Sequence, residues 1–445
     1  MSTTLLPSVL DTCTLIYVEV DKNSNKVWRG SLRDDGTFVA EWGRVGERLQ
    51  NKHHCLGSVA LARDKFERTK RQKLRKGYTQ AEIIDDFQQS IITPEELEAM
   101  PSDARASRQR SWRIIGDDCF AIASSQINHG RDPRSKELIR YLVKSNIHFF
   151  TSQTQIVYDS AQGFSTPLGK VTPQAIAEAR QYLFQIAATS SSKRYKLRQL
   201  LNKYLRLIPQ DLGRKIDESQ LSNTQEIQRQ YEILNALEAA IAIDSTSTPV
   251  FDCAIARVPG STVEGKKIFR QINQLYKLTI NQNHLAAKYR LRRVYELDIP
   301  SMQKAFAVKA KAIGNVKQHW HGTKASNLLS ILRQGLIIPP ANAVQCTGRM
   351  FGNGIYGSEQ STKALNYATN YWNPSGDDEE RVFMLLCDFA MGKEYHPHPQ
   401  SYNHRFPVAG YDSTYVAPGV GGIINQESIV YSSQQVNIKY LCEFS

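Results

Sequence analysis

A chain of 445 residues exceeds one ordinary domain of ~100–200 residues, so two to four units are expected. Hydrophobic residues at 41% and charged residues at 22% exclude a disordered chain, and no apolar run approaches the ~18 residues of a membrane span. The net charge of +13 favours a polyanionic partner; its surplus is read near the N-terminus, where Arg63 to Lys76 holds eight Lys or Arg against Asp64 and Glu67.

The opening MSTTLLPSVLDTC has no basic segment ahead of its apolar residues and no small-residue cleavage site. An unprocessed intracellular protein is expected, nuclear in a eukaryote, cytoplasmic or nucleoid-associated in a bacterium. Cys13, Cys55, Cys119, Cys253, Cys346, Cys387 and Cys442 are scattered and form no Cys-x-x-Cys pair. That spacing points to reduced thiols rather than a disulfide framework or a thiolate zinc site.

In chain order, residues 13–45 read as strands, with turns at the Asn-rich stretch after Val20 and at Asp34-Asp35-Gly36. A basic helix follows from Ser58, marked by Val59, Ala60, Ala62, Phe66 and Leu74 and closed by Gly77. A short acidic helix is expected after Thr93-Pro94, and residues 100–112 read as an exposed linker. From 131 to 243 the periodicity is helical. Leu138, Tyr141 and Leu142 start it, and Thr172-Pro173 opens an amphipathic helix through Ile176, Ala179, Tyr182 and Leu183. Ser222 with Gln225 reads as a capping box before Ile227, Tyr231, Leu234, Leu237 and Ile241. After 245, strand-like runs (RVFMLLCDF, SIVY, VNIKYLCEF) alternate with Gly-rich loops, as in a mixed α+β domain.

Three local patterns in this last region carry chemistry. The first is His321-Gly322-Thr323. The second is Gly352-Asn353-Gly354-Ile355-Tyr356-Gly357, where close glycines let backbone approach a flat ligand, followed by a second aromatic, Tyr367. The third is Glu427 directly before Ser428-Ile429-Val430-Tyr431. Each alone has a structural reading: a histidine beside glycine, a glycine bulge under core tyrosines, a solvated acid at a strand start.

In this order the three resemble the His-Tyr-Glu signature of the poly(ADP-ribose) polymerases. PLGK at 167–170 and LIPQDLG at 207–213 resemble landmarks of that family's helical regulatory domain, and Trp42-Gly43-Arg44 with Lys76-Gly77-Tyr78 resembles a WGR domain. No zinc-finger region precedes the WGR segment, as in the short members with a single WGR domain. The resemblance implies a multidomain fold: a sheet-plus-helix WGR module (1–90), a linker (91–130), an all-α regulatory bundle (131–245) and a mixed α+β ADP-ribosyltransferase domain (246–445).

It also implies NAD+ as substrate and no metal. Loss of nicotinamide passes through a transition state with oxocarbenium character, so orientation and negative charge near the sugar are needed. By resemblance His321 bonds the adenosine ribose, with Thr323 and Asn327 at that end, and the Gly322 backbone grips the carboxamide. Tyr356, beside Gly354, and Tyr367 sandwich the nicotinamide, while Glu427 stabilises the ribose and activates the acceptor, with Lys363 on the acceptor side. Ala364 departs from the family's serine, which puts NAD+ affinity at issue; Thr362 is the nearby hydroxyl. Glu427 points to chain elongation on protein acceptors, the chain itself included. The alternatives are single-unit transfer to protein or nucleic-acid ends, and a catalytically weak DNA-binding scaffold. Trp42, Arg44, Lys65, Lys70, Arg71 and Lys73 are the implied contacts to DNA ends or nicks, and the helical domain is expected to restrain NAD+ access until DNA binds. No membrane partner is expected.

Overall fold

The computed structural model describes residues 7–80, 119–154, 156–159, 163–166, 169–190, 192–213, 215–244, 251–338, 350–369, 381–398 and 406–445. The short acidic helix after Thr93, the 100–112 linker, Pro167 and Leu168 lie outside them. The chain divides into two compact units, one of residues 1–118 with 150–234, the other of 119–149 with 235–445. The helical stretch is therefore shared, its outer ends packing with the C-terminal region.

In the first unit, β1 (Val9–Glu19), β2 (Ser24–Arg33), β3 (Thr37–Arg44), β4 (Gln50–Cys55) and β5 (Thr79–Gln80) form an antiparallel sheet in the order β4-β3-β2-β1-β5. Period-two alternation puts Cys13, Leu15, Trp28, Leu32, Phe38 and Ala40 on one face, buried against α1 (Val59–Arg75). Only Ala62 and Phe66 of α1 are buried, so the helix spends two residues on the sheet and leaves its basic side to solvent. Phe66 meets Phe38 edge-on at 5.7 Å, and its burial contributes ~1.5–3 kcal/mol. Gly77 ends the helix as expected. At φ +87° its N–H donates to Leu74 O (3.0 Å), and the next N–H, from Tyr78, donates to Lys73 O (3.2 Å). The edge strand β4 was not expected, because QNKHHC carries no apolar alternation.

The helical part of this unit follows α2 (Pro133–Gln153), which runs across the division. A three-stranded sheet of β6 (Val157–Asp159), β7 (Gly163–Thr166) and β8 (Gly169–Lys170) interrupts the expected run of helices. Then come α3 (Pro173–Ala188), α4 (Arg194–Leu207) and α5 (Thr224–Asp244). Thr172 Oγ1 accepts from Ala175 N–H at 3.1 Å, as the Thr-Pro pair predicts. The Ser222–Gln225 capping box does not form. Asn223 caps α5 instead, its Oδ1 accepting from Glu226 N–H at 2.8 Å, while Ser222 Oγ donates back to Glu218 O. Asparagine is as good a cap as serine, and the preceding turn of helix already claims Ser222.

Buried amides tie the LIPQDLG loop inside this unit. Gln230 Oε1 accepts from Tyr204 Oη (2.6 Å) and Gln210 Nε2 (2.7 Å), and Gln230 Nε2 donates to Gln210 Oε1 (2.9 Å). Asn25 Nδ2 of β2 donates to Gln210 O at 2.9 Å. The Gln210 and Gln230 amides satisfy one another, which limits the cost of burying them, while Asn25 Oδ1 is buried without a partner among the described residues.

The second unit holds two sheets. β9 (Ala254–Arg257), β10 (Leu291–Asp298), β11 (Val316–Gly322), β13 (Val382–Ala390) and β17 (Val436–Phe444) pair antiparallel in the order β11-β13-β17-β10-β9. β12 (Ile355–Gly357), β14 (Glu394–Tyr395), β15 (Ser413–Val416) and β16 (Glu427–Val430) form the second, ordered β12-β16-β15-β14. The helices are α6 (Val263–Leu278), α7 (Pro300–Ile313), α8 (Ala325–Gln334) and α9 (Ser361–Ala368). Ile272 and Tyr276 of α6 and Ala364, Leu365 and Ala368 of α9 close over Val294, Trp320, Met384, Leu386 and Phe444. All six cysteines among the described residues are free thiols. No helix among the described residues is long and apolar enough to cross a membrane.

Candidate active site

β11 delivers His321 and Gly322 at its C-terminal end, beside β12 and the first turns of α9. His321 Nδ1 lies 2.8 Å from Tyr356 O. A carbonyl only accepts, so Nδ1 carries the proton and Nε2 keeps its lone pair. Burial lowers the His321 pKa, opposed by the Tyr356 carbonyl. The ring is held neutral, an acceptor at Nε2 suited to a hydroxyl.

Gly322 admits no side chain. A Cβ there would stand 1.6 Å from Ala364 O, so the strand backbone rests directly on α9. Gly354 is similarly tight, 2.5 Å from Val430 O. Tyr356 pairs with Ile429 across β12 and β16; its hydroxyl donates to Gly352 O (2.8 Å) and accepts from Phe351 N–H (3.1 Å). That fixes the ring at both ends of the glycine loop. Tyr367, one turn beyond Ala364, remains 42% exposed, and its pKa is pushed up to about 12 by burial and by Glu427.

Glu427 opens β16 and is buried. Lys363 Nζ donates to its Oε1 and, at 3.1 Å, to Gln426 O. Burial lowers the Lys363 pKa while Glu427 raises it, so the carboxylate supports an ammonium that is itself largely buried. Ser358 Oγ donates to Gln426 O (2.8 Å) and Gln426 Oε1 accepts from Glu359 N–H (2.9 Å), locking this strand start onto the segment after β12. Thr323 is buried, and Asn327 Nδ2 donates to Thr323 Oγ1 at 3.4 Å.

Ala364 is buried in the position where a serine hydroxyl was expected. Thr362 does not point its hydroxyl there: its Oγ1 accepts from Asn281 N–H (2.9 Å) and faces His284 Nδ1 (3.0 Å). Asn425 Nδ2 reaches His284 Nε2 at 3.3 Å. An amide nitrogen only donates, so Nδ1 bears the His284 proton and gives it to Thr362. Burial and Lys363 lower the pKa of His284, against the bond to Thr362. This histidine borders the Lys363–Glu427 pair, and sequence reasoning did not single it out; its partners are 78 and 141 residues away.

The expected DNA-facing residues separate into two groups. Lys65 and Arg71 are exposed on α1, and Lys70 is half-exposed. Lys73 folds over the Tyr78 ring at 5.0 Å, and Tyr78 stacks on Tyr17; burial and the neighbouring Lys76 and Lys26 lower the Lys73 pKa. Trp42 is half-buried against the sheet core. Arg44 is engaged inside the unit: Nε donates to Gly213 O (2.8 Å), and its terminal nitrogens donate to Asn23 O (3.0 Å) and Oδ1 (3.4 Å).

Three family models match the chain in sequence order: the WGR domain over residues 11–84, the poly(ADP-ribose) polymerase regulatory domain over 132–247, and the poly(ADP-ribose) polymerase catalytic domain over 266–445. The chain belongs to the poly(ADP-ribose) polymerase family. Rice (Oryza sativa subsp. japonica) poly [ADP-ribose] polymerase 2-A is 24% identical over 85% of the chain and 57% of its own length. Chicken (Gallus gallus) poly [ADP-ribose] polymerase 1 is 24% identical over 96% of the chain and 44% of its own length. Human protein mono-ADP-ribosyltransferase PARP3 is 23% identical over 90% of the chain and 75% of its own length. The chain thus spans about half the length of the first two of these relatives. The matched catalytic segment contains His321, Tyr356, Lys363, Tyr367 and Glu427, and also Thr362, His284 and Asn425.

Proposed function

We propose that this protein is a DNA-break-responsive ADP-ribosyltransferase that consumes NAD+, releases nicotinamide and elongates ADP-ribose chains on protein acceptors. The observation that carries it is the bonding of His321 to Tyr356 and of Lys363 to Glu427, with β12 and β16 paired so that Tyr356 faces Ile429 two residues from Glu427. In this reading His321 Nε2 accepts from the adenosine ribose, and the Gly322 backbone meets the carboxamide. Tyr356 and Tyr367 flank the nicotinamide. The Glu427 carboxylate faces the ribose as positive charge develops there, and Lys363 fixes its orientation. The exposed cations of α1 and the half-buried Trp42 support a phosphate-tracking N-terminal module.

A second reading, transfer of a single unit, is favoured by the PARP3 relative, named a mono-ADP-ribosyltransferase. Labelled NAD+ with and without a nicked, 5′-phosphorylated duplex, followed by sizing of the labelled product, separates the two. A duplex-dependent ladder on protein supports the proposal. A single band supports the second reading, and label on the duplex transfers the activity to nucleic-acid ends. No label under either condition overturns both.

A further inference from the structure

From Arg257 to Lys324 the chain holds fourteen Lys or Arg residues against three acids, Glu264, Glu296 and Asp298. Most of the +13 surplus therefore lies here rather than near the N-terminus, a correction to the reading from charge alone. Part of it is organised. On α6, Lys266, Arg270 and Lys277 follow at intervals of four and seven residues, which puts them on one helix face, and all three are exposed. The row runs about 16 Å along the helix at 1.5 Å per residue. Lys267 beside them is also exposed, with Glu264 at 4.0 Å as its acidic neighbour.

The end of this row is fixed against the candidate site. Ser361 Oγ donates to Tyr276 O at 2.9 Å, and Ser361 N–H to Thr279 Oγ1 at 3.3 Å. Asn281 N–H reaches Thr362 at 2.9 Å. The C-terminal end of α6 is thereby pinned to the first turn of α9, the turn that carries Lys363 and its bond to Glu427. Lys277, the last cation of the row, follows Tyr276, whose carbonyl is one of the atoms held there.

We propose that the Lys266–Arg270–Lys277 face of α6 binds linear ADP-ribose polymer, holding the chain as it leaves the site. The inference rests on the elongation reading above. Each repeat of such a chain carries a pyrophosphate, so the polymer is a single-stranded polyanion whose charge recurs along its length, matching a row of cations rather than one pocket. A nucleic acid shares that charge, but the row ends at the segment bonded to the turn that carries Lys363, and on the elongation reading the polymer is the strand formed there.

The test is equilibrium binding of purified linear ADP-ribose polymer of one fixed length to the full chain, without NAD+, over a series of salt concentrations. K266Q/R270Q/K277Q is compared with K304Q/K309Q/K311Q, which removes the same charge from α7. By the counterion-release slope of about 0.7 per phosphate contact, the α6 variant should lose about 2 from the slope of log K against log salt. The α7 variant should match the parent. In turnover, the α6 variant should make shorter chains at an unchanged rate of first transfer. Wild-type slope in the α6 variant, equal losses in both variants, or single-stranded DNA of matched charge held as tightly through the same residues would each overturn the proposal. Polymer binding through α6 by an enzyme that adds only one unit would refute the elongation reading alone, because the binding arm uses no NAD+.

Discussion

Gly322→Ala puts the sharpest steric demand on the site. The added Cβ would stand 1.6 Å from Ala364 O and 2.6 Å from Ala364 C, with Tyr367 Cβ at 3.3 Å. Ordinary carbon contacts are about 3.5 Å, so β11 and α9 must part by about 2 Å. Both are element backbone, and neither has a flexible end to yield. Overpacking of this kind costs roughly 1–3 kcal/mol, a Tm loss of roughly 2–12 °C for a unit this size. α9 carries Lys363 and Tyr367, so the same displacement moves the ammonium bonded to Glu427 and the Tyr367 ring; under the proposed function a misplacement of about 1 Å costs on the order of 100-fold in rate. The control is Gly260→Ala, exposed with nothing within 4 Å of the added methyl. The assays are thermal unfolding and kcat/KM for NAD+. Parental Tm and kcat/KM in Gly322→Ala would refute the packing argument, as would an equal loss in Gly260→Ala.

Further outcomes follow from single residues. Ala364→Ser should lower KM for NAD+ by about 2- to 12-fold, the worth of one net hydrogen bond of ~0.5–1.5 kcal/mol, with kcat little changed; steady-state kinetics checks it, and an unchanged KM would remove this position from the carboxamide contact. His319 is fully buried, its two ring nitrogens have no partner among the described residues, and its pKa is pushed down to about 4. The unfolded chain takes up this proton near pH 6.5 and the folded chain only near 4, so stability falls as pH drops through that window, by about 3 kcal/mol from this group. His319→Leu should raise Tm at neutral pH and flatten its fall between pH 6.5 and 4.5; a parental pH profile would contradict the burial argument. Glu427→Gln keeps the shape of the side chain, removes its charge, and should cost about 10²–10³ in kcat. An unchanged kcat would contradict its role.

What could be read from the chain follows the range of the forces involved. Local chemistry was legible: Thr172-Pro173 begins a helix and Gly77 ends one because caps act within a few residues. The alternation of Leu15, Trp28 and Phe38 marks a sheet face by period alone. Where two local solutions compete, sequence chose wrongly, as with Ser222 against Asn223. Where a strand is held by its neighbour rather than by its own pattern, as β4 is, nothing local announces it. The site divides in the same way. His321, Tyr356 and Glu427 stand in short motifs that resemblance supplies, while His284 stands in none; it joins the cluster through Thr362 and Asn425. Arg44 is expected from the WGR resemblance as a DNA contact, and nothing local announces its bonds to Gly213 and Asn23, which lie 169 and 21 residues away.

Under the proposed function, the Glu427 carboxylate supports NAD+-dependent ADP-ribose transfer that DNA accelerates. The most direct test is quantification of free nicotinamide and of protein-bound ADP-ribose from one reaction, run with and without a nicked duplex, for the parent and Glu427→Gln. Nicotinamide and bound ADP-ribose should rise together in the parent, faster with the duplex, and both should fall by about 10²–10³ in the variant. Equal release from parent and variant, or nicotinamide without any bound ADP-ribose, would contradict it.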